Sequence, residues 1–192
     1  MKNILLFIAV ALLAGCASVV KVEGDQVVAD RLNVKVGEAW NKMPYSHGPF
    51  ETWTREGPNL DQLRFWAGIK SGQALAKEQR VPSGQTAPRV PTYTSGMAAD
   101  QLVNLFETMY ASDGSLVKVV RTESSTFAGA PGWRFEFTIT RKGDDLLMRG
   151  VGWVSVRNNE LFAATFTAPQ LTFFPRLVPK VESVVASARI KG

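Results

Sequence analysis

One cysteine and one histidine are all that the 192 residues offer to thiolate or imidazole chemistry. A single thiol closes no internal disulfide and builds no multi-thiolate metal site. A Ser-His-Asp triad would have to use His47 as its base. That residue stands in Tyr45-Ser46-His47-Gly48-Pro49, which reads as a solvated turn, and no Gly-x-Ser-x-Gly elbow accompanies it. Phosphate-cradling glycine patterns are absent as well. Gly150-Val151-Gly152 falls inside an expected strand, where glycine marks a bulge or close packing. Among carboxylates, Asp144-Asp145 suits a hairpin turn. Glu136 and Glu160 are a pair that would serve glycoside chemistry if they met across a sheet, and otherwise form a solvated face. No catalytic residue, metal ligand or cofactor is therefore assigned.

Long apolar runs are also scarce. Ile4 to Leu13 is the main one, and it is too short for a hydrocarbon core that needs about 20 helical residues. Lys2 precedes it, and Ala14 and Gly15 are the small residues of a processing site. Leu13-Ala14-Gly15-Cys16 resembles the lipobox of bacterial lipoproteins. The resemblance implies cleavage between Gly15 and Cys16, followed by acylation of Cys16, and two or three acyl chains suffice for stable attachment to a membrane. Ala17 in the following position implies the outer membrane, on its periplasmic side. A secretory signal cut elsewhere, with Cys16 incidental, is the alternative. The resulting division is a signal peptide over 1–15, a lipidated tether over 16–25 and one globular domain over 26–192.

The apolar fraction of 45% and the charged fraction of 20% are those of a globular protein with a real core. Net charge is +5, and Lys2 leaves with the signal. A basic chain raises the question of nucleic acid. Export argues against it, and anionic head groups are the more available partners.

Alternation at Leu32, Val34 and Val36 predicts a strand over 26–36, followed by a turn of helix at Ala39-Trp40. A hairpin with arms 50–56 and 62–69 flanks Gly57-Pro58-Asn59. Leu63, Phe65, Ala67 and Ile69 share one face of its second arm, and Arg64 and Trp66 share the other. Residues 77–96 read as a long loop, either functional or mobile. An amphipathic helix follows over 97–111, with Ala98, Leu102, Leu105, Phe106 and Met109 on one face. Four antiparallel strands come next, over 116–123, 132–141, 146–157 and 160–168, the first two joined through Ala130-Pro131-Gly132. The strand over 146–157 is apolar on both faces and so needs cover on both. The C-terminal stripe Phe174, Leu177, Val178, Val181, Val184, Val185 and Ala188 predicts a short first turn and then a helix proper starting near Pro179, where proline is tolerated.

This order of elements, with Gly132-Trp133-Arg134-Phe135-Glu136-Phe137 and the passage from Leu161 to Pro169 into a final apolar helix, is similar to the PsbP-like fold. The resemblance implies an α+β architecture: an antiparallel β-sheet with helices packed on both faces, an α/β/α sandwich. It implies binding and assembly roles and carries no site residues over.

Trp53 shares a face with Glu51 and Arg55. In simple register, Trp53 and Trp66 edged by Arg55 and Arg64 make an aromatic partner surface for a protein or a glycan ring. The other reading is a tryptophan pair covered by the 77–96 loop. The expected function is a non-catalytic envelope lipoprotein that binds or scaffolds an envelope protein or glycan. The alternatives are a hydrolase of an envelope polymer or lipid, and a carrier of an apolar ligand.

Overall fold

The computed structural model describes residues 19–77, 84 and 90–191. The signal segment, Gly15, Cys16 and most of the 77–96 loop lie outside them. The elements in chain order are β1 (Val20–Val28), β2 (Leu32–Lys42), β3 (Phe50–Thr54), β4 (Gln62–Lys70), α1 (Ala99–Ala111), β5 (Leu116–Phe127), β6 (Ala130–Thr140), β7 (Leu147–Arg157), β8 (Glu160–Pro169), α2 (Phe173–Ser187) and β9 (Arg189–Ile190). The strands form one antiparallel sheet in the order β1-β2-β3-β4-β8-β7-β6-β5, and β9 pairs with β2. An antiparallel sheet with two helices is an α+β fold, as expected.

Three tight turns set the hairpins. Ala29-Asp30, Ala128-Gly129 and Asn158-Asn159 all have positive φ at both central residues. That is the turn whose twist matches the strands it joins. The β5–β6 turn therefore falls at Ala128-Gly129, two residues before the expected Ala130-Pro131-Gly132. Gly132 is instead a strand residue, packed so tightly that a Cβ on it would lie 2.1 Å from the Val154 carbonyl oxygen.

The sheet also begins earlier than the alternation indicated. Residues 20–25, assigned to the tether, belong to β1, and the single strand expected over 26–36 is shared between two. Ala39-Trp40 is not helical; it lies in β2, because Trp40 turns into the core beside Val34 and Val36. Both outer strands are interrupted. β1 shifts register between Val22 and Gly24, and β5 between Val119 and Arg121.

Strand parity distributes the apolar residues between two cores. The first gathers Val151 and Trp153 of β7, Phe166 of β8, Trp40 of β2 and Phe174, Leu177, Val181 and Val184 of α2. The second gathers Val154 of β7, Phe135 and Phe137 of β6, and Leu102, Leu105, Phe106 and Met109 of α1. The two apolar faces read for the strand over 146–157 are thus both used. In β4, Gly68 at φ +80° makes a bulge. The extra residue turns Ile69 into the second core, away from the face of Leu63 and Phe65 where simple alternation had set it.

α2 starts six residues before the expected Pro179, which sits inside it. An interior proline costs about 3 kcal/mol. Five side chains of the helix are buried, each worth about 1.5–3 kcal/mol. Their sum outweighs the missing hydrogen bond, so the helix continues through the proline.

Candidate functional site

The β3–β4 hairpin carries the residues singled out as a partner surface, and a buried carboxylate fixes its geometry. Asp61 accepts hydrogen bonds from Thr54 Oγ1 (2.8 Å) and from the backbone N–H groups of Arg55 (2.8 Å) and Glu56 (2.7 Å). These bonds close the turn and set Phe50 opposite Trp66, Thr52 opposite Arg64 and Trp53 opposite Leu63. In that register the two tryptophans fall on opposite faces.

The aromatic patch is therefore not assembled. Trp53 is 1% exposed and packs in the first core, its ring 4.9 Å from Phe65. Trp66 is fully buried in the second core, where its indole N–H donates to the Leu75 carbonyl (2.9 Å). Leu75, just before the 77–96 loop, and Tyr93, within its described end, share that core with it. Arg55 lies on the Trp53 side, paired with Glu38 (2.9 Å) and set over the Trp40 ring. The four residues divide two and two.

What remains is Arg64. Its guanidinium is held between two rings, 5.0 Å from the centroid of Phe50 and 5.3 Å from that of Tyr110. One Nη donates to Gln62 Oε1, and Nε is buried without a hydrogen-bond partner. Among the described residues no carboxylate pairs with it. Thr52 on β3 and Thr165 on β8 stand directly across from Arg64 on its two neighbouring strands. Tyr110 of α1 hydrogen-bonds Thr165 Oγ1 (2.7 Å). The result is a half-buried cation held between two rings, with buried threonines opposite it on the neighbouring strands. A guanidinium stacked on aromatic faces keeps its planar donor fork oriented, so the arrangement suits recognition of an anionic or hydroxyl-rich group. The sequence signal for it was Thr165 and Thr167, two hydroxyls at alternate positions of an otherwise apolar strand.

The candidate acids and bases are dispersed. His47 is exposed, its ring edge-on to Tyr45 at 6.1 Å. Glu136 accepts from Arg134 (2.7 Å) and Arg149 (2.6 Å). Burial alone would raise its pKa, but the two guanidiniums outweigh burial and hold it below the usual range. Glu160 pairs with Arg31 at the β7–β8 turn. Glu136 lies level with Val151 and Phe166 in the ladder, so Glu160 is six residues, about 20 Å, further along β8. The Arg141 side chain beside Asp144 lowers that carboxyl to about 2. Asp145 has φ +52° in the same turn. Among the described residues, no group of three or more His, Cys, Asp or Glu is placed to hold a metal ion, and no helix is long and apolar enough to cross a membrane.

No family model matches the chain, and no curated protein matches it by sequence. Solved structures do resemble it. Cyanobacterial PsbP (CyanoP) of Synechocystis aligns at TM-score 0.56 and 12% identity, over 93% of this chain and 95% of that one. A protein of Bacteroides thetaiotaomicron aligns at TM-score 0.51 and 11% identity, over 89% of this chain and half of that one. LpqN of Mycobacterium tuberculosis, a protein involved in cell envelope biogenesis, aligns at TM-score 0.43 and 12% identity, over 91% of each chain. The fold is α+β and resembles that of cyanobacterial PsbP.

Proposed function

We propose that this chain is a non-catalytic binding or scaffolding module of the bacterial cell envelope. In this reading it is a PsbP-like α/β/α sandwich with one helix on each face of the sheet. Cleavage behind Gly15 frees Cys16, whose acyl chains anchor the domain to the outer membrane on its periplasmic side. The motif Leu13-Ala14-Gly15-Cys16 supports the anchor. The observation that carries the binding role is Arg64, clamped between Phe50 and Tyr110 with no carboxylate partner among the described residues. With no carboxylate on it among the described residues, a guanidinium held in that way suits pairing with a group from outside the chain. An envelope protein or glycan that presents carboxylate, phosphate or clustered hydroxyls suits this cation.

Two measurements test this. Intact-mass analysis of the membrane-extracted protein is expected to show acyl chains, and C16S is expected to leave the membrane fraction. Crosslinked envelope extracts are expected to yield a partner or glycan with the natural chain and to lose it with Arg64→Gln. An unmodified mass would overturn the anchor. Equal recovery with and without Arg64 would overturn the binding role of that residue.

A further inference from the structure

The edge at which the chain enters the sheet leaves several apolar side chains in water. Val19 and Val20 are 52% and 53% exposed, and Tyr45 is 62% exposed. They belong to one edge. Val20 is paired with Lys42, three residues before Tyr45. The loop that carries Tyr45 is clamped to the body. Gly48 fits so closely that a Cβ on it would lie 2.5 Å from the Phe50 ring and 2.8 Å from the Ala76 Cα. The Lys77 N–H donates to the His47 carbonyl (2.7 Å). Tyr45 is thus held outward by a fixed loop that also carries the exposed His47, and the exposed Lys77 is bonded to that loop.

Chain length says what this edge meets. β1 begins at Val20, so only residues 17–19 separate it from Cys16. Four residue steps span at most about 14 Å even when fully extended. A sulfur that carries acyl chains in the bilayer therefore holds the first strand at head-group level.

From this, and resting on the anchor reading above, we infer that the edge formed by Val19, Val20 and the Tyr45–His47 loop lies against the bilayer and contacts anionic head groups. Tyrosine is an interfacial residue, with an apolar ring for the acyl boundary and a hydroxyl for water. The exposed Lys77 on the loop complements anionic lipid. The domain then sits with a defined face down, rather than moving freely on a ten-residue leash.

Acylation of Cys16 leaves no other thiol, so a cysteine placed on the body is a unique labelling site. Tyr45→Cys and Leu116→Cys, the latter on the far edge strand, are made in the full acylated chain, labelled with a polarity-sensitive fluorophore, and reconstituted into phosphatidylethanolamine–phosphatidylglycerol vesicles. Quenching by aqueous iodide is expected to fall several-fold at 45 relative to detergent and to stay unchanged at 116, with a blue shift at 45 alone. Equal quenching at both sites in a sample whose mass shows the acyl chains overturns this inference and leaves the anchor standing. Protection at 45 that appears only in whole envelopes assigns the edge to a protein and overturns it too. An unmodified mass overturns the anchor and this inference together.

Discussion

Gly150 sits directly beneath the ring of Phe137. A Cβ at position 150 would lie 2.2 Å from Phe137 Cζ, and Gly152 stands in the same relation to Phe135. The rings cover glycines on the neighbouring strand, and each stacks on the other at 5.8 Å. Phe137 also meets Tyr110 at 5.1 Å, so it has nowhere to retreat. Gly150→Ala is therefore expected to destabilise the fold by about 2–3 kcal/mol, as overpacking does. Urea unfolding measures it, and Phe137→Leu in the same chain is expected to recover part of the loss. Additive losses would show that the two positions are not in contact.

Glu136 links β6 to β7 through Arg149 and pairs along its own strand with Arg134. Its carboxyl is held low in the folded chain and returns to about 4.3 on unfolding. The stabilisation is complete above the unfolded value and fades as pH falls through the lower folded one. Glu136→Gln is expected to cost about 2 kcal/mol at neutral pH. It is also expected to flatten the acid limb of a stability-versus-pH curve. A parallel curve, merely displaced, would count against the linkage.

Tyr110 and Thr165 satisfy one another in a largely buried setting. Tyr110→Phe leaves the Thr165 hydroxyl without that partner, at a cost of about 1–3 kcal/mol. Phenylalanine keeps a ring over Arg64, so retention of an envelope partner is expected to survive this change and to fail in Arg64→Gln. The contrast between the two variants in the same pulldown separates fold from recognition.

Pro179→Ala restores a donor to the middle of α2. It is expected to stabilise the protein by about 1–3 kcal/mol. Thermal unfolding reads it, and an unchanged midpoint would mean that α2 bends to absorb the proline at no cost.

Local periodicity carried much of this architecture. The stripe through Leu102, Phe106 and Met109 described α1, and the double-sided pattern of β7 required two cores, because each signal lies within one element. Pairing between elements was not local. The face that Trp66 occupies was legible, but its opposite neighbour depended on how Asp61 closes the turn. Simple register therefore joined Trp53 to Trp66, where the fold joins Phe50 to Trp66. Gly68 was one glycine among sixteen, and only the ladder with β8 shows that it moves Ile69 to the other side. Proline at 179 argued for a later helix start, and the buried stripe overruled it. Arg64 was named for its proximity to tryptophans, and its setting proved to be Phe50, Tyr110 and two threonines from separate strands.

The interruptions in β1 and β5 bear on life at high density. In the anchored reading, copies gathered on one bilayer meet constantly, and a flat outermost strand would zip onto the next copy, backbone to backbone. Here each rim is kinked. The Gly24 bulge breaks one ladder, and the break before Arg121 leaves Val120 pointing out between Lys118 and Arg121 on the other. Straightening the β5 rim by deleting Val120 is expected to convert a dispersed population into rows, visible as growing particles in light scattering, with no change in the interior.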